Sequence, residues 1–257
     1  MAAQWAAMKL ALLADIHANL QALRACMADA RARGATQWAF LGDLVGYGGD
    51  PAAVLDIVMD SVAQGAWAVK GNHDDAAVVP PAPSGQRSDL AGAAWTHAQL
   101  SPAHLAFLAG LPLEVRRDNV LLVHASAHEP GRWTYVTRPA EAAQSLDAAH
   151  EQGASVVFCG HVHEQRLFYL GGVGKLMPFE PTPDVAIPVP SHRDWLATAG
   201  SVGQPRDGDP RAMYALFDTG AARLTFLRVA YDHAAAADAI RRAGLPEDNA
   251  ARLAKGR

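Results

Sequence analysis

The sequence predicts an α/β protein that contains two β-sheets. Over the first two-thirds of the chain, short apolar runs alternate with helical patterns, which is typical of a largely parallel sheet covered by helices. After His163 the pattern changes to β-like runs separated by turn residues, and this change indicates a second, mostly antiparallel sheet. The 257 residues, of which half are hydrophobic, suit a single domain over residues 1–257 with a sizeable core.

The predicted strands of the first part end where polar residues begin. These strands cover residues 9–14, 38–41, 66–69, 120–123 and 156–159. Helices are predicted at 20–33, 51–65, 89–99, 102–108 and 139–152. Cap signals support three of the helix starts: Asn19 precedes the first, and Asp50-Pro51 and Ser101-Pro102 put a cap residue before a first-turn proline. The proline-rich segment 78–88 is predicted to be a loop.

The second part of the chain is predicted to contain further strands and two closing helices. The strands cover residues 166–170, 184–189, 195–199, 213–218 and 223–231, and the helices lie near 234–243 and 247–255. Segment 175–193 contains five prolines and is interpreted either as a lid or as a connector between strands. Residues 1–7 are predicted to form a loose N-terminal extension.

Composition excludes several classes of function. The net charge of −4 at pH 7 and the isoelectric point near 6.2 argue against a nucleic-acid or anionic-membrane binder, which usually carries a basic patch. No apolar run approaches the roughly 20 residues that cross a bilayer. Cys26 and Cys159 form neither a zinc-binding spacing nor a disulfide framework, and two isolated cysteines fit a reducing compartment. The prediction is therefore a cytoplasmic protein with no membrane partner.

Polar side chains that can bind metal ions recur at the ends of the predicted strands. In chain order they are Asp15 and His17, Asp43, Asn72 with His73 and Asp74, His124, and His161 with His163. Functional groups of an open α/β sheet gather where its strands end, so these side chains are expected to lie close together. Residues two apart on an extended segment face the same way, so Asp15 and His17 can share one ion. Because these strand ends run into turns, such a pair can instead be divided between two ions.

This residue set predicts a centre for two divalent metal ions. Its mixture of carboxylate, amide and imidazole ligands suits Mn, Fe, Zn, Co or Ni better than Ca or Mg, which prefer oxygen ligands alone. Asp15 and Asp43 are the two carboxylates of the set. They neutralise about half of the charge of two divalent ions, so the centre favours hydroxide and an anionic substrate. Two ions roughly 3.5–4 Å apart form the clamp that is used for in-line attack on phosphorus.

The ordered motifs resemble those of the calcineurin-like metallophosphoesterase superfamily. They are D-x-H at 15–17, G-D at 42–43, G-N-H-D at 71–74, His124, and G-H-x-H at 160–163. The segments G-D-L-V-G-Y-G at 42–48 and G-S-V-G-Q-P-R at 200–206 resemble its small stand-alone prokaryotic branch of phosphodiesterases and phosphatases. The resemblance extends over residues 8–252 and implies a sandwich of two β-sheets flanked by helices. Ala18 stands where the family usually has Gly, and Ala14 where Ser is frequent, but neither position is a ligand.

The resemblance also implies a role for each motif residue. Asp15, His17 and His163 would hold one ion, Asn72, His124 and His161 would hold the other, and Asp43 would bridge the two. A hydroxide between the ions would attack phosphorus. His73 would act as general acid or stabilise the transition state by donating to the phosphate oxygens. Asp74 would orient His73 and keep it cationic, because a nearby carboxylate favours imidazolium.

Four further residues are predicted substrate contacts. Arg132 is a candidate for binding phosphate, and Trp133 for stacking on a base, because both lie in the long loop 126–138 between two ligand-bearing strands. Tyr47 is expected to line the cleft or to sit in a tight turn. Arg206 is expected to contact phosphate or to brace its own loop.

The predicted activity is hydrolysis of a phosphomonoester or phosphodiester, and the predicted partner is a phosphorylated small molecule or nucleotide. A catalytically quiet metal-binding scaffold of the same fold is the first alternative, although no predicted ligand is missing from the chain. A nuclease is the second, and the acidic charge balance disfavours it. The motifs recognise only the phosphoryl group, so they leave the substrate, the metal identity and the oligomeric state open.

Overall fold

The computed structural model describes residues 7–80, 92–171, 174–190 and 192–257. The strands are β1 (Lys9–Leu13), β2 (Gln37–Phe40), β3 (Trp67–Ala68), β4 (Glu114–Arg117), β5 (Val120–Val123), β6 (Val156–Cys159), β7 (Gln165–Leu170), β8 (Leu176–Phe179), β9 (Ala186–Pro188), β10 (Trp195–Ala199), β11 (Ala212–Asp218) and β12 (Arg223–Val229). The helices are α1 (Leu20–Ala32), α2 (Pro51–Ala63), α3 (Asn72–Val78), α4 (Ala93–Gln99), α5 (Pro102–Gly110), α6 (Pro139–Glu151), α7 (His233–Arg242) and α8 (Glu247–Leu253). None of the helices in this described part of the chain combines the length and the apolarity needed to cross a bilayer.

The strands form two six-stranded sheets within the described residues, and each sheet mixes parallel with antiparallel pairs. The first has the order β3-β2-β1-β11-β12-β9, and the second has the order β4-β5-β6-β10-β7-β8. β1 pairs in parallel with β2 but antiparallel with β11, and β10 pairs in parallel with β6. The expectation of a parallel sheet followed by a separate antiparallel sheet is therefore wrong. A local pattern reports how a strand is buried, whereas its partner is chosen by packing between residues that are distant in sequence.

The two sheets pack face to face, and helices cover their outer faces. Leu10 and Leu12 of β1 lie in the core between the sheets together with Phe158 of β6. Ala11 and Leu13 point to the opposite face and pack in the core under the helices, because successive side chains of a strand alternate. This arrangement confirms the predicted two-sheet sandwich flanked by helices.

Several local features differ from the predictions. Helix α3, which starts within the motif G-N-H-D, was not predicted, and neither were strands β4 and β8. Segment 175–193 contributes β8 to the edge of the second sheet and β9 to the edge of the first. The described part of this segment therefore connects the two sheets. Residues 1–6 of the predicted extension and 81–88 of the predicted loop lie outside the described residues.

A buried glutamine joins the two sheets near their polar ends. The side-chain amide of Gln165 on β7 donates to the carbonyl oxygens of Ala199, Tyr214 and Leu227 at 3.2, 3.0 and 3.2 Å. Its own oxygen accepts a hydrogen bond from Arg228 Nε at 3.1 Å. Two of the three carbonyls belong to the opposite sheet, so this side chain links the layers that position the site.

Replacing Gln165 by leucine is expected to lower the free energy of unfolding by about 1–3 kcal/mol, because buried polar groups lose their partner. Gln37→Leu is the matched control, since its amide donates to Gly65 O in a hydrogen bond that is exposed to solvent. Its effect should stay within about 0.5 kcal/mol. Urea unfolding of both variants measures the difference. Equal losses in the two variants would mean that Gln165 does not tie the sheets together.

Candidate metal centre

Every predicted ligand follows a strand, and the sheet order brings them together at one edge. Asp15 and His17 follow β1, Asp43 follows β2, Asn72 follows β3, His124 follows β5, and His161 and His163 follow β6. Because β1, β2 and β3 run parallel in one sheet, and β5 and β6 in the other, their carboxyl ends meet. The charged and imidazole members are all buried.

The backbone at these strand ends is strained. Asp15, His17, Asp43, His161 and His163 have φ values of 52°, 49°, 50°, 66° and 62°. Residues other than glycine seldom occupy this left-handed region, and where they do, the surrounding structure usually holds them for a functional reason. Here hydrogen bonds between neighbouring strand ends hold the backbone, as when Asp15 N donates to Gly42 O at 3.0 Å. The side chains are thus aimed before any ligand arrives.

Glycines precede the ligands Asp43, Asn72 and His161 because there is no room for a side chain. A Cβ at position 71 would lie 2.2 Å from the backbone nitrogen of Asp43. A Cβ at position 160 would lie 2.4 Å from Asp15 Oδ2. The glycines of the G-N-H-D and G-H-x-H motifs therefore allow separate strand ends to touch.

The first cluster contains Asp15, His17 and His163. Asp15 Oδ1 lies 3.2 Å from His163 Nε2 and 3.9 Å from His17 Nε2. The two Nε2 atoms lie 3.1 Å apart. Asp15 Oδ1 is buried without a hydrogen-bond partner, whereas Oδ2 accepts from the backbone N–H of His161 at 2.8 Å. One carboxylate oxygen thus fixes the side chain and the other faces the cluster.

The second cluster contains Asp43, His124 and His161, with Asn72 beside them. His124 Nε2 lies 3.1 Å from His161 Nδ1, 3.3 Å from Asn72 Oδ1 and 3.3 Å from Asp43 Oδ2. His161 Nε2 is buried without a hydrogen-bond partner. The cluster therefore offers carboxylate, amide and imidazole atoms within reach of one ion.

Asp43 stands between the two clusters. Its Oδ2 lies 3.3 Å from His124 Nε2 in the second cluster and 3.8 Å from His17 Nε2 in the first. Its Oδ1 accepts from the backbone N–H of His73 at 2.8 Å, which orients the carboxylate. This position is the one that a bridging ligand needs.

Three of the histidines have their ring orientation set by backbone carbonyls. The Nδ1 atoms of His17, His124 and His163 lie 3.2, 2.8 and 2.7 Å from the carbonyl oxygens of Val45, Leu41 and Gln204. A carbonyl only accepts, so each Nδ1 donates its proton there, and each Nε2 is the ring atom turned toward the clusters. This is the arrangement by which proteins prepare histidine to bind a metal.

The electrostatics of the clusters favour ionised carboxylates at Asp15 and Asp43 and neutral imidazoles at His17 and His161. Burial alone would raise the pKa of Asp15, but the neighbouring His163 lowers it to about 2. Burial lowers the pKa of His161 to about 4 and that of His17 well below its usual range. Burial would also lower the pKa of His124, yet the charge of Asp43 raises it to about 9. Deprotonated ligands are the form that binds metals, so a cation at the second cluster would displace the His124 proton.

The donor set fits a pair of divalent transition-metal ions. Two buried ligand atoms have no partner, and two pairs of imidazole nitrogens face each other at 3.1 Å. Facing lone pairs repel unless a proton or a cation lies between them. Nitrogen and oxygen donors in this mixture are those that Mn, Fe, Zn, Co and Ni accept.

His73 lies beside both clusters. Its ring is nearly perpendicular to that of His17, with centroids 5.0 Å apart. One of its nitrogens lies within 4.8 Å of ligand atoms of His17 and Asp43. Burial lowers the pKa of His73, and the charge of Asp43 is the largest opposing effect. The side chain is only 8% exposed, so it borders the space between the clusters and solvent.

Asp74 lies in the first turn of α3 and is buried. One of its oxygens accepts from the N–H groups of Leu44 and Val45 at 2.9 and 3.2 Å, and the other accepts from Gly71 N–H at 2.9 Å. Both oxygens thus accept from backbone N–H groups, and the role of Asp74 in orienting His73 stays a prediction. Burial and the charge of Asp43 raise the pKa of Asp74 to about 7. The residue ties the loop after β2 to the start of α3.

Replacing Asp74 by alanine is expected to lower the free energy of unfolding by about 3 kcal/mol, because three buried N–H groups lose their acceptor. Metal affinity should fall roughly 10–100-fold, as is usual when a group supporting the ligands is lost. Asp75→Ala is the control, since Asp75 is exposed on the same helix. Urea unfolding and metal titration test this. Normal stability with lost turnover would instead support the role of Asp74 in orienting His73.

Two of the predicted substrate contacts lie on the side of the first cluster. The Tyr47 ring lies 4.7 Å from that of His17 and 4.5 Å from that of His73, and the Arg206 guanidinium lies 5.9 Å from the Tyr47 ring. Tyr47 has a φ of 58°, and its carbonyl accepts from Asn249 Nδ2 of α8 at 3.3 Å. Sequence reasoning missed Asn249, which is separated from Tyr47 by 202 residues.

The other two predicted contacts differ from each other. Trp133 lies edge-on to His124, with ring centroids 5.8 Å apart. Arg132 is largely exposed, and its Nε atom forms an ion pair with Glu129 of the same loop at 3.1 Å. This ion pair does not bring the Arg132 side chain to the clusters. Tyr135, in the same loop, stacks on His161 with centroids 3.9 Å apart. Tyr135 was not among the predicted contacts. The only signal for it in the sequence is an aromatic side chain in the loop that follows a ligand-bearing strand.

Comparison with known proteins places these features in a family. Residues 8–222 match the model of the calcineurin-like phosphoesterase superfamily domain. An uncharacterised protein of Methanocaldococcus jannaschii is 32% identical, over 96% of this chain and 98% of its own length. The crystal structure of a metallophosphoesterase from Sphaerobacter thermophilus is 34% identical with a TM-score of 0.86, over 98% of this chain and 100% of the other.

A second solved structure supports the fold alone. A hypothetical protein from Pyrococcus horikoshii is 19% identical with a TM-score of 0.75, over 97% of this chain and 98% of the other. The family model spans every strand end from Asp15 to His163 that carries a predicted ligand. The chain therefore belongs to the calcineurin-like phosphoesterase superfamily.

Proposed function

We propose that this protein is a binuclear metal-dependent phosphoesterase that hydrolyses phosphomonoesters or phosphodiesters. The observation that carries this proposal is the pair of buried ligand clusters joined by Asp43, with a further histidine beside them. Divalent ions held there would supply Lewis acidity and an activated water near neutral pH. Family membership supports a hydrolase acting on phosphate esters.

Each side chain has a role in this proposal that follows from its contacts. Asp15, His17 and His163 would hold one ion, and Asn72, His124 and His161 would hold the other. Asp43 would contact both, because its Oδ2 faces a histidine of each cluster. The carbonyls that accept from the three Nδ1–H groups keep the rings in place.

His73 is proposed as the residue that acts on the phosphoryl group. Its backbone N–H is anchored by Asp43, and its ring packs against the rings of His17 and Tyr47. From there a ring N–H can donate to phosphate oxygens or protonate the leaving group. Arg206 and Tyr47 are proposed to border the same side of the substrate, with the cationic guanidinium near the ring.

Elemental analysis of the purified protein, followed by a Mn-supplemented assay, tests this function. We expect close to two transition-metal ions per chain and hydrolysis of p-nitrophenyl phosphate or bis-p-nitrophenyl phosphate. The ratio of the two rates would separate a monoesterase from a diesterase. Metal-loaded protein that leaves both esters and nucleotides intact would overturn the proposal and favour a binding or scaffold role.

A further inference from the structure

The loop of residues 46–49 lies directly against the site. A Cβ at position 46 would lie 2.6 Å from His73 Nδ1, and one at position 48 would lie 2.2 Å from the carbonyl oxygen of His17. Both positions are glycine, so this loop packs closer to the two histidines than side chains there would allow. A displacement of the 46–49 loop therefore reaches His73 and the first cluster.

The same loop also packs against the last two helices of the chain. A Cβ at position 49 would lie 2.6 Å from the carbonyl group of Ala239 in α7. Asn249 of α8 donates from Nδ2 to the carbonyl oxygen of Tyr47 at 3.3 Å. The 46–49 loop therefore contacts the site at positions 46 and 48 and the helices at positions 47 and 49.

The helices α7 and α8 pack on each other in a hydrophobic cluster of their own. Its buried members are Ala236, Ala237 and Ile240 of α7 with Ala250 and Leu253 of α8. This helix pair follows residue 222, where the match to the family model ends. The motifs shared with the family therefore assign it no role at the site.

Tyr47 occupies a strained backbone conformation within the loop. Its φ of 58° lies in the left-handed region, which residues other than glycine keep only where the surrounding structure holds them. Its ring centroid lies 4.5 Å from that of His73 and 4.7 Å from that of His17. The hydrogen bond from α8 therefore acts on a residue whose side chain packs against both histidines.

We infer that α7 and α8 hold the 46–49 loop against His73, and that Asn249 is a positioning residue for the reaction. This inference rests on the proposed phosphoesterase function, in which His73 acts on the phosphoryl group. Displacing a reacting group by about 1 Å can cost about 10²-fold in rate. The helix pair thus contributes to turnover through the loop.

Two substitutions separate the loop from the helices by different means. Asn249→Asp keeps the shape of the side chain but replaces the donor by a carboxylate oxygen that faces the Tyr47 carbonyl. A carboxylate in the first turn of a helix is favourable, so α8 itself should stay folded. Gly49→Ala adds an uncharged Cβ that meets the backbone of α7. Both variants should bind metal normally and lose about 10–100-fold in kcat on p-nitrophenyl phosphate, with a smaller change in KM.

A second readout does not depend on turnover. The imidazole signals of His73 in the NMR spectrum of ¹⁵N-labelled, Zn-loaded protein are identified by their absence from His73→Ala. They should shift in Asn249→Asp and in Gly49→Ala, because the loop backbone and the Tyr47 ring beside His73 move. Asn249→Gln keeps an amide donor, so it should lose less kcat and shift these signals less than Asn249→Asp.

Each substitution has a matched control. Asn119→Asp removes an amide donor that lies at the same distance from its acceptor, 3.3 Å from Ser155 Oγ, at a similarly half-buried position before β5. Gly110→Ala adds a Cβ that has no neighbouring atom within 4 Å. Both controls should leave kcat and the His73 signals unchanged.

Unchanged kcat and unchanged His73 signals in Asn249→Asp and Gly49→Ala would overturn the inference, and so would a lower free energy of unfolding as their only effect. Equal effects of Asn249→Asp and Asn249→Gln would overturn the role of the hydrogen bond. If the unaltered protein hydrolyses the ester and neither variant differs from it, only the positioning fails. If no ester is hydrolysed but the His73 signals shift, the positioning holds and only the proposed reaction fails.

Discussion

Asp43→Asn is expected to remove bound metal and activity together. Asp43 Oδ2 is the carboxylate oxygen that faces histidines of both clusters, at 3.3 and 3.8 Å. An amide there presents a neutral oxygen and halves the negative charge of the proposed ligand set. We expect metal affinity to fall by more than the roughly 10–100-fold that accompanies loss of an outer supporting group. Elemental analysis after dialysis against buffered Mn, with turnover measured on the same samples, checks this.

The fold should survive this change, so the result can be interpreted. The amide oxygen of asparagine can still accept the His73 backbone N–H that Asp43 Oδ1 accepts at 2.8 Å. Asp75→Asn is the matched control, because it removes an exposed carboxylate from α3 whose contact is an ion pair with Lys70 at 3.6 Å. The control should bind metal and turn over normally. Two ions retained in Asp43→Asn would show that this residue does not bridge.

His73→Ala is expected to separate metal binding from turnover. In the proposed role His73 contacts the phosphoryl group and not the ions, so metal content should stay near that of the unaltered protein. Turnover should fall by roughly 10²–10⁴-fold, the range typical of a lost general acid. Because the group acts on the reacting phosphate, the fall should appear in kcat more than in KM. Steady-state kinetics on p-nitrophenyl phosphate, normalised to metal content, measures both.

The alternative for His73 is that it binds an ion itself. One of its nitrogens lies within 4.8 Å of ligand atoms of His17 and Asp43. If His73→Ala loses metal in proportion to its activity, the residue is a ligand and the acid role is wrong. His150→Ala is the matched control for replacing a histidine. His150 lies half-exposed on α6, where its Nε2 atom is 2.8 Å from Asp194 Oδ1. That variant should leave both metal content and kcat unchanged.

Much of the site could be predicted because its signals are local. Each ligand-bearing motif follows a short apolar strand, and parallel strands end at a common edge. The identity of the side chains, from Asp15 to His163, limits the chemistry to metals that accept nitrogen and oxygen. The alternation of strand and helix likewise predicts the α/β class, and the shared motifs predict the family that the comparisons show.

Other features depend on residues that lie far apart in the chain. No local pattern shows that β11 pairs with β1 or that β10 pairs with β6, and these pairings make both sheets mixed. The motif G-N-H-D gives no sign that both oxygens of Asp74 accept from the backbone of residues 44, 45 and 71. The contact of Asn249 with Tyr47 is equally invisible in the sequence.

The sequence by itself determined the fold class, the set of candidate ligands and their order, because strand burial, turn chemistry and ligand type are properties of short segments. The tertiary structure alone decided which strands are neighbours, that Asp43 faces both clusters, that Asp74 supports a loop, and that Tyr135 covers His161. These facts depend on distances between segments separated by tens to hundreds of residues, and such distances are set by packing of the whole chain and not by any local pattern.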